Sequence, residues 1–322
     1  MWEHILGQEQ ARQALRHDLA AGQVAQAYLL AGPDGVGKRR LAMALTKALV
    51  CVGESDRPCD TCRACQQATR GSHPDVRVVE SDGSSLFIKI ETVREVLARV
   101  ALRPFSAPTQ VVIIDPAERL TEEAANSLLK SLEEPAATTR FVLITSRVSD
   151  CLPTLVSRCR LIRCQRLRPA TIAAIMQPAA AHASPEVVER IARLARGSAA
   201  RALELAAHWS DDESMVNELA ARPEWLWVDQ PLPENRDQLA GRLDGLMSWL
   251  RDVAVTAVGG TQAVAHMGYQ TALEAQAQRI NLEQCVQAVF AMAALRESLD
   301  RFANPRLVAA AARERWLAVY DQ

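Results

Sequence analysis

The residues best able to do chemistry lie in two short clusters early in this 322-residue chain. The first is Gly32-Pro33-Asp34-Gly35-Val36-Gly37-Lys38-Arg39, which fits G-x-x-x-x-G-K. Glycines at those steps let backbone N–H groups curl around a phosphate. The N-terminus of the following helix adds its positive end, and Lys38 reaches the outer phosphates. Ordinarily Ser or Thr follows the lysine and ligates Mg²⁺ through its hydroxyl. Here Arg39 follows, with no lone pair for a metal and a positive charge of its own. ATP can still be held, because the cradle and Lys38 survive, but Mg²⁺ is not expected and metal-dependent hydrolysis should suffer.

The second half of such a site is a strand ending in an acid for Mg²⁺, then a carboxylate that aims water. Val111-Val112-Ile113-Ile114-Asp115 supplies the strand and the first acid. Pro116 stands where the second acid belongs, and Glu118 lies two residues further on. Taken alone, Asp115 is equally a strand-end turn residue. Two separate parts of one catalytic arrangement are therefore damaged.

The other cluster is Cys51, Cys59, Cys62 and Cys65, spaced C-x₇-C-x₂-C-x₂-C. Four thiolates suit tetrahedral Zn²⁺, and with every position filled by protein the ion is structural. Free thiols or a redox C-x₂-C pair are the alternatives. The remaining cysteines, Cys151, Cys159, Cys164 and Cys285, are expected to be small buried residues.

Elements must position these groups. Ala27 to Ala31 reads as the buried strand before the glycine loop, and Leu41, Ala42, Ala44, Leu45, Ala48 and Leu49 recur at helical spacing after it. Further apolar runs are Val76 to Val79, Val111 to Ile114, Phe141 to Ile144 and Leu161 to Cys164. Helical patterns such as Glu91 to Leu102 and Glu122 to Leu132 separate them, which predicts a parallel sheet covered on both faces. After Arg168-Pro169 the strand signals stop. Short helices are predicted over Thr171–His182, Pro185–Arg196 and Ala199–Ala207, with Gly197 as a C-cap. The Pro-, Asp- and Glu-rich stretch from about Asp211 to Asn235 predicts a hinge. Beyond it, Leu243, Leu246, Leu250, Val253 and Ala257 share one helical face, and Leu282, Val286, Val289 and Ala293 share another. The fold class is thus an α/β P-loop domain over 1–167, with a zinc module at about 51–65. A small helical lid domain over 168–210 and an all-α C-terminal bundle over 211–322 follow it.

With 49% hydrophobic and 23% charged residues, the chain can bury a large core. A formal net charge of −1 argues against coating DNA by bulk positive charge, so any DNA contact must come from a patch. No apolar run approaches a membrane span, and the Met1-Trp2-Glu3-His4 start shows no secretory pattern. A cytoplasmic protein is expected.

Several segments together carry a resemblance. They are Ile5-Leu6-Gly7-Gln8-Glu9, the phosphate loop, the strand ending at Asp115, and Asn126-Ser127-Leu128-Leu129-Lys130-Ser131-Leu132-Glu133-Glu134-Pro135. Thr145-Ser146, Ser157-Arg158-Cys159, Gly197-Ser198-Ala199-Ala200-Arg201 and Asn304-Pro305 complete the set. On these the chain resembles the AAA+ clamp-loader family of bacterial DNA polymerase III, most nearly its delta-prime branch.

That resemblance implies a non-hydrolysing subunit that completes a hetero-pentamer and helps load the sliding clamp on primed DNA. It implies that Gly32, Gly35, Gly37, Lys38, Arg39, Asp115, Thr145 and Arg201 form a degenerate nucleotide site. Arg158 becomes an arginine finger reaching in trans into a neighbour's ATP site, and the 211–322 bundle a collar for oligomerisation. Implied partners are gamma/tau-type ATPase subunits, a delta-type subunit, the sliding clamp through the complex, and primer–template DNA without sequence preference. DNA contact falls on Lys89, Arg94, Arg99 and Arg103, which equally suit an ordinary solvated helix face. No ATPase activity of its own is expected. Two rivals remain: an active ATPase of the same family using Glu118 or a borrowed group, and a zinc-containing AAA+ adaptor outside replication.

Overall fold

In a computed structural model of the chain, the apolar runs pair as strands and the periodic segments pack over them. The structure describes residues 2–53, 57–81, 87–133, 138–178, 183–207, 209–223, 235–260, 263–300 and 303–320. Two compact units result: Met1–Ile175 with Arg196–Arg201, and Met176–Ala195 with Ala202–Gln322. The stretch 168–210, expected as a lid domain, is divided between them.

In the first unit, strands β1 (Ala27–Ala31), β2 (Val76–Val79), β3 (Gln110–Ile114), β4 (Thr139–Thr145) and β5 (Arg160–Arg163) form one sheet. The strand order is β2-β3-β4-β1-β5 and every pairing is parallel. The helices are α1 (Glu9–Ala20), α2 (Lys38–Val50), α3 (Arg63–Thr69), α4 (Ile90–Val100), α5 (Glu122–Glu133), α6 (Pro153–Val156) and most of α7 (Pro169–Met176).

Strand residues alternate between two apolar clusters, as the period-two geometry of a strand dictates. Tyr28 and Leu30 of β1 and Val111 and Ile113 of β3 join Leu15 of α1 and Leu45 of α2. Leu29, Ile114 and Phe141 face the other way, with Val93 of α4, Leu128 of α5 and Leu155 of α6. Both faces are therefore covered by helices; β1 and β3 are buried throughout, whereas β2 and β5, at the sheet's edges, are partly exposed. Parallel pairing sends all five strand ends to one edge, the edge where ligands bind in open α/β sheets.

The second unit holds α8 (Pro185–Leu194), most of α9 (Ala199–Ala207), α10 (Trp209–Ala221), α11 (Arg236–Ala257), α12 (Gln270–Arg279), α13 (Leu282–Asp300) and α14 (Pro305–Tyr320). Leu243, Leu246, Leu250 and Val253 share the predicted face of α11 and pack with Trp249 and Trp316.

Two expectations are corrected here. The predicted hinge from Asp211 is helix through Ala221, because Met215, Val216 and Leu219 fall at helical spacing and are buried in the core. The rest of that stretch, 224–234, lies outside the described residues, as do Glu134-Pro135 and 179–182 of the first lid helix. On α13, Leu282 and Val286 are 39% and 40% exposed, whereas Cys285, Ala288, Met292 and Leu299 form the buried face. The small Cys285 lets α13 approach α11 closely enough for its Sγ to reach the Leu250 carbonyl at 3.3 Å. Among the described residues, no helix is long and apolar enough to cross a membrane.

Candidate functional site

The glycine loop joins β1 to α2 at the carboxyl edge of the sheet. Gly32 continues the ladder, its N–H donating to the Thr145 carbonyl at 3.2 Å. A side chain there would overlap the Cys164 carbonyl oxygen beyond β5, so only glycine fits. Gly37 has φ 102° and caps α2, a conformation that ordinary residues rarely adopt. The Gly35 carbonyl accepts the Ala199 and Ala200 N–H groups at 2.9 and 3.3 Å, which brings the segment containing Arg201 against the loop. Ser198 Oγ caps that segment by accepting from Arg201 N–H at 3.3 Å.

Lys38 is buried, and its ammonium donates to the Gly32 and Pro33 carbonyls at 2.6 and 2.8 Å. A longer contact of 3.4 Å reaches Asp34 Oδ1. Arg39 points to the neighbouring strand ends. Its NH1 forms ion pairs with Glu80 Oε1 and, at 3.5 Å, with Asp115 Oδ2. Glu80 follows Val79, which is paired in register with Ile114, so Glu80 and Asp115 emerge side by side. The Asp115 N–H donates to the Val79 carbonyl at 3.0 Å and fixes that adjacency. Burial pushes the Asp115 carboxyl above its usual range, and the Arg39 charge opposes this.

This set does not fit Mg²⁺. A hard octahedral cation needs ionised oxygen ligands around it. Here the group after Lys38 is a donor-only guanidinium already paired with both strand-end acids.

Glu118 is committed elsewhere. Its Oε1 accepts from Ser146 N–H at 3.0 Å and Ser146 Oγ at 2.5 Å, tying the segment after β3 to the end of β4. Burial pushes this carboxyl up, but the Ser146 hydrogen bonds outweigh it and hold the group below the usual carboxylate range. Thr145 is buried, with Oγ1 accepting from Arg147 N–H at 3.1 Å. In the opening segment, Gln8 is also buried, and its Nε2 donates to the Val36 carbonyl of the glycine loop at 3.1 Å.

Arg158 lies between α6 and β5 on the surface. NH1 donates to the Thr154 carbonyl at 3.0 Å, and NH2 pairs with Glu133 Oε1 at 2.5 Å. No contact joins it to this chain's own phosphate loop among the described residues. Two positions on, Arg160 pairs with the buried Asp18 at 2.7 Å, which also accepts the Tyr28 hydroxyl.

The four clustered cysteines converge, their sulfur atoms all within 4.8 Å of one another. Backbone N–H groups of Gly53, Cys62 and Cys65 point at the sulfurs of Cys51, Cys59 and Cys62 at 3.3–3.4 Å. Cys62 caps α3, and the buried Lys47 of α2 pairs with Asp60 inside the loop. The backbone donors of Cys62 and Thr61 lower the Cys59 thiol to about 6. Four sulfurs at this separation, one already favouring thiolate, fit a tetrahedral metal. Of the other cysteines, Cys151, Cys164 and Cys285 are buried and Cys159 is half-buried.

Lys89, Arg94, Arg99 and Arg103 are all exposed, but they do not make one stripe. With Val93 and Val100 marking the buried face of α4, Arg94 and Arg99 fall on opposite flanks.

Glu80 and the bracketing role of Gln8 were not found from the sequence. A strand-final acid like Asp115 was visible at Glu80, but nothing local says that β2 lies beside β3.

A family model described as DNA polymerase III, delta subunit, matches residues 7–168, a span that holds the glycine loop, the four cysteines and Arg158. DNA polymerase III subunit delta' of Bacillus subtilis is 35% identical over 166 residues, covering 51% of this chain and 50% of that protein. The delta' subunit of Pseudomonas aeruginosa is 41% identical over 154 residues, 46% of each chain. DNA polymerase III subunit gamma of Buchnera aphidicola is 36% identical over 162 residues, 50% of this chain and 44% of that one. The chain spans about half the length of the curated relatives it matches.

Proposed function

Since the chain belongs to the DNA polymerase III delta-subunit family of AAA+ clamp-loader proteins, we propose that it is a delta-prime-type subunit that does not hydrolyse ATP itself. In this reading it completes a pentamer with gamma/tau-type ATPase subunits and a delta-type subunit in the cytoplasm. The assembly places the sliding clamp on primer–template DNA. One observation carries the non-hydrolysing assignment: Arg39 pairs with both Glu80 and Asp115, the acids that a catalytic metal would need. Pro116 stands where a second acid would follow Asp115 in the chain, and Glu118 is held by Ser146.

The residues that act are then at the surface. Arg158 rests on Glu133 and Thr154, and an exposed ion pair of this kind is worth about 0–1 kcal/mol. Exchange of Glu133 for a neighbour's γ-phosphate is therefore cheap, while a guanidinium on that phosphate speeds transfer by about 10³ to 10⁵. Asp18 holds Arg160 and steadies the start of β5 beside this arginine.

The cysteine knob takes structural zinc, which supplies fixed tetrahedral geometry and no chemistry. In this reading the phosphate-binding domain runs to 167, the lid over 168–210 and the collar from 211, a functional division that does not follow the bounds of the two compact units. DNA contact, if carried by α4, is phosphate contact without sequence preference.

The test is ATP turnover by the purified chain, alone and with gamma/tau-type and delta-type subunits. We expect none from the chain alone, and DNA-stimulated turnover from the assembly that survives Lys38→Ala in this chain. Turnover by the isolated chain that needs Mg²⁺ and Lys38 would favour the active-ATPase rival instead. Failure to assemble with those subunits would favour an adaptor outside replication.

A further inference from the structure

A nucleoside polyphosphate needs several positive partners, and in most such sites Mg²⁺ is one of them. This chain keeps the cradle but gives the metal no place. Arg39 has no lone pair, and its NH1 already engages both Glu80 and Asp115. The guanidinium thus offsets one of the two carboxylate charges and draws both acids to its NH1 edge, away from where phosphate would sit. Its Nε and NH2 have no partner among the described residues, and the side chain is 59% exposed. Arginine's planar fork suits phosphate through two such donors at once.

Lys38 is prepared in the same way. An ammonium has three donors. Two go to the Gly32 and Pro33 carbonyls and aim the group along the loop. The third makes only the long contact to Asp34, whose side chain is 88% exposed and free to be displaced. Backbone N–H groups at the α2 N-terminus, opened by Gly37, complete the anion site.

We propose that the phosphate loop takes nucleoside polyphosphate without a divalent cation, with Arg39 as the built-in counter-ion in place of Mg²⁺. This rests on the degenerate-site reading given above and deepens it. Magnesium should then oppose binding: it neutralises the phosphates that Lys38 and Arg39 attract, and brings its own charge against the guanidinium.

Calorimetric titration of the full-length chain with ATP and ADP, in EDTA and in excess MgCl₂, tests this. We expect binding in EDTA that weakens in MgCl₂. Arg39→Ala should weaken the EDTA binding about 10- to 100-fold, the worth of a hydrogen bond to a charged group, and Arg39→Lys should retain part of it. Arg39→Ser, which restores the hydroxyl, should reverse the sign so that MgCl₂ strengthens binding. Circular dichroism checks that each variant is folded, as expected for a substitution at an exposed residue.

Binding that requires MgCl₂ in the wild type would overturn the proposal. So would affinity unchanged in Arg39→Ala, binding that survives Lys38→Ala, or no binding at millimolar nucleotide in either condition. None of these outcomes touches the trans role of Arg158, which is read from turnover by the assembly.

Discussion

Gln8 and Gln165 are joined by a reciprocal pair of hydrogen bonds. Gln8 Nε2 donates to the Gln165 carbonyl at 2.6 Å, and the Gln165 N–H donates to Gln8 Oε1 at 2.8 Å. The same carboxamide reaches Val36 in the glycine loop, so one side chain staples three segments: the opening turn, the loop and the chain after β5. Gln8→Ala would take this partner from three peptide groups, the buried Val36 carbonyl and the partly buried carbonyl and N–H of Gln165. Each such group costs about 1–3 kcal/mol. We expect a loss of that order in urea denaturation. Gln8→Glu should be no better, because a carboxylate would face two carbonyl oxygens. A Gln8→Ala midpoint equal to wild type would show that water replaces the staple.

Arg158 and Glu133 form the resting pair of the proposed finger. In the reconstituted assembly, Arg158→Ala should lower DNA-stimulated ATP turnover at the adjacent site by about 10³-fold or more. Arg158→Lys should not restore it, since a point charge cannot span two phosphate oxygens. Glu133→Gln removes only a weak exposed partner, so its turnover should stay within about fivefold of wild type. Steady-state turnover with primed DNA separates these outcomes. Normal rates for Arg158→Ala in an intact assembly would remove the assignment.

The cysteine knob makes a separate claim. Metal analysis of the purified chain should give about one zinc per chain. Cys62→Ser should lose it and lower the melting temperature. Cys62 serves twice, as a sulfur of the cluster and as the cap of α3. Cys151→Ser is the control, since Cys151 lies outside the cluster and its sulfur contacts Thr145 and Arg147. Equal zinc in wild type and Cys62→Ser would contradict a four-cysteine site.

Much of this was legible in the sequence because the signals are local. The strand–glycine–helix order gives the phosphate loop, and alternating apolar runs give the parallel sheet. The C-x₂-C steps bring sulfurs together within a few residues. What stayed hidden depends on strand order or on distant pairing. Glu80 becomes a partner of Arg39 only because β2 lies beside β3. Gln8 meets Gln165 only because β5 joins β1 at one end of the sheet. On α13, Leu282 and Val286 matched a helical period as well as the true face did, and the small Cys285 decided which side could approach α11. The basic residues around α4 looked contiguous along the chain, yet the helix turns Arg94 and Arg99 to opposite flanks.

Asp75 supplies the last prediction. This buried carboxylate accepts N–H bonds from Phe105, Ser106 and Ala107 at 2.6, 2.8 and 2.9 Å and so pins the loop before β3. Burial alone would raise its pKa, but the three backbone donors outweigh it and the net shift is downward. A carboxyl with a depressed folded-state pKa stabilises the fold fully above its unfolded value of about 3.9. That contribution is lost as pH falls through the lower folded-state value. Asp75→Asn keeps one acceptor oxygen but loses the charge, and hydrogen bonds to charged groups are worth about 1.5–3 kcal/mol. We therefore expect Asp75→Asn to unfold at lower urea at pH 7, with the gap to wild type closing only below about pH 4. A gap that stayed constant down to pH 3, or that closed near neutrality, would mean that the carboxylate charge does not hold this loop.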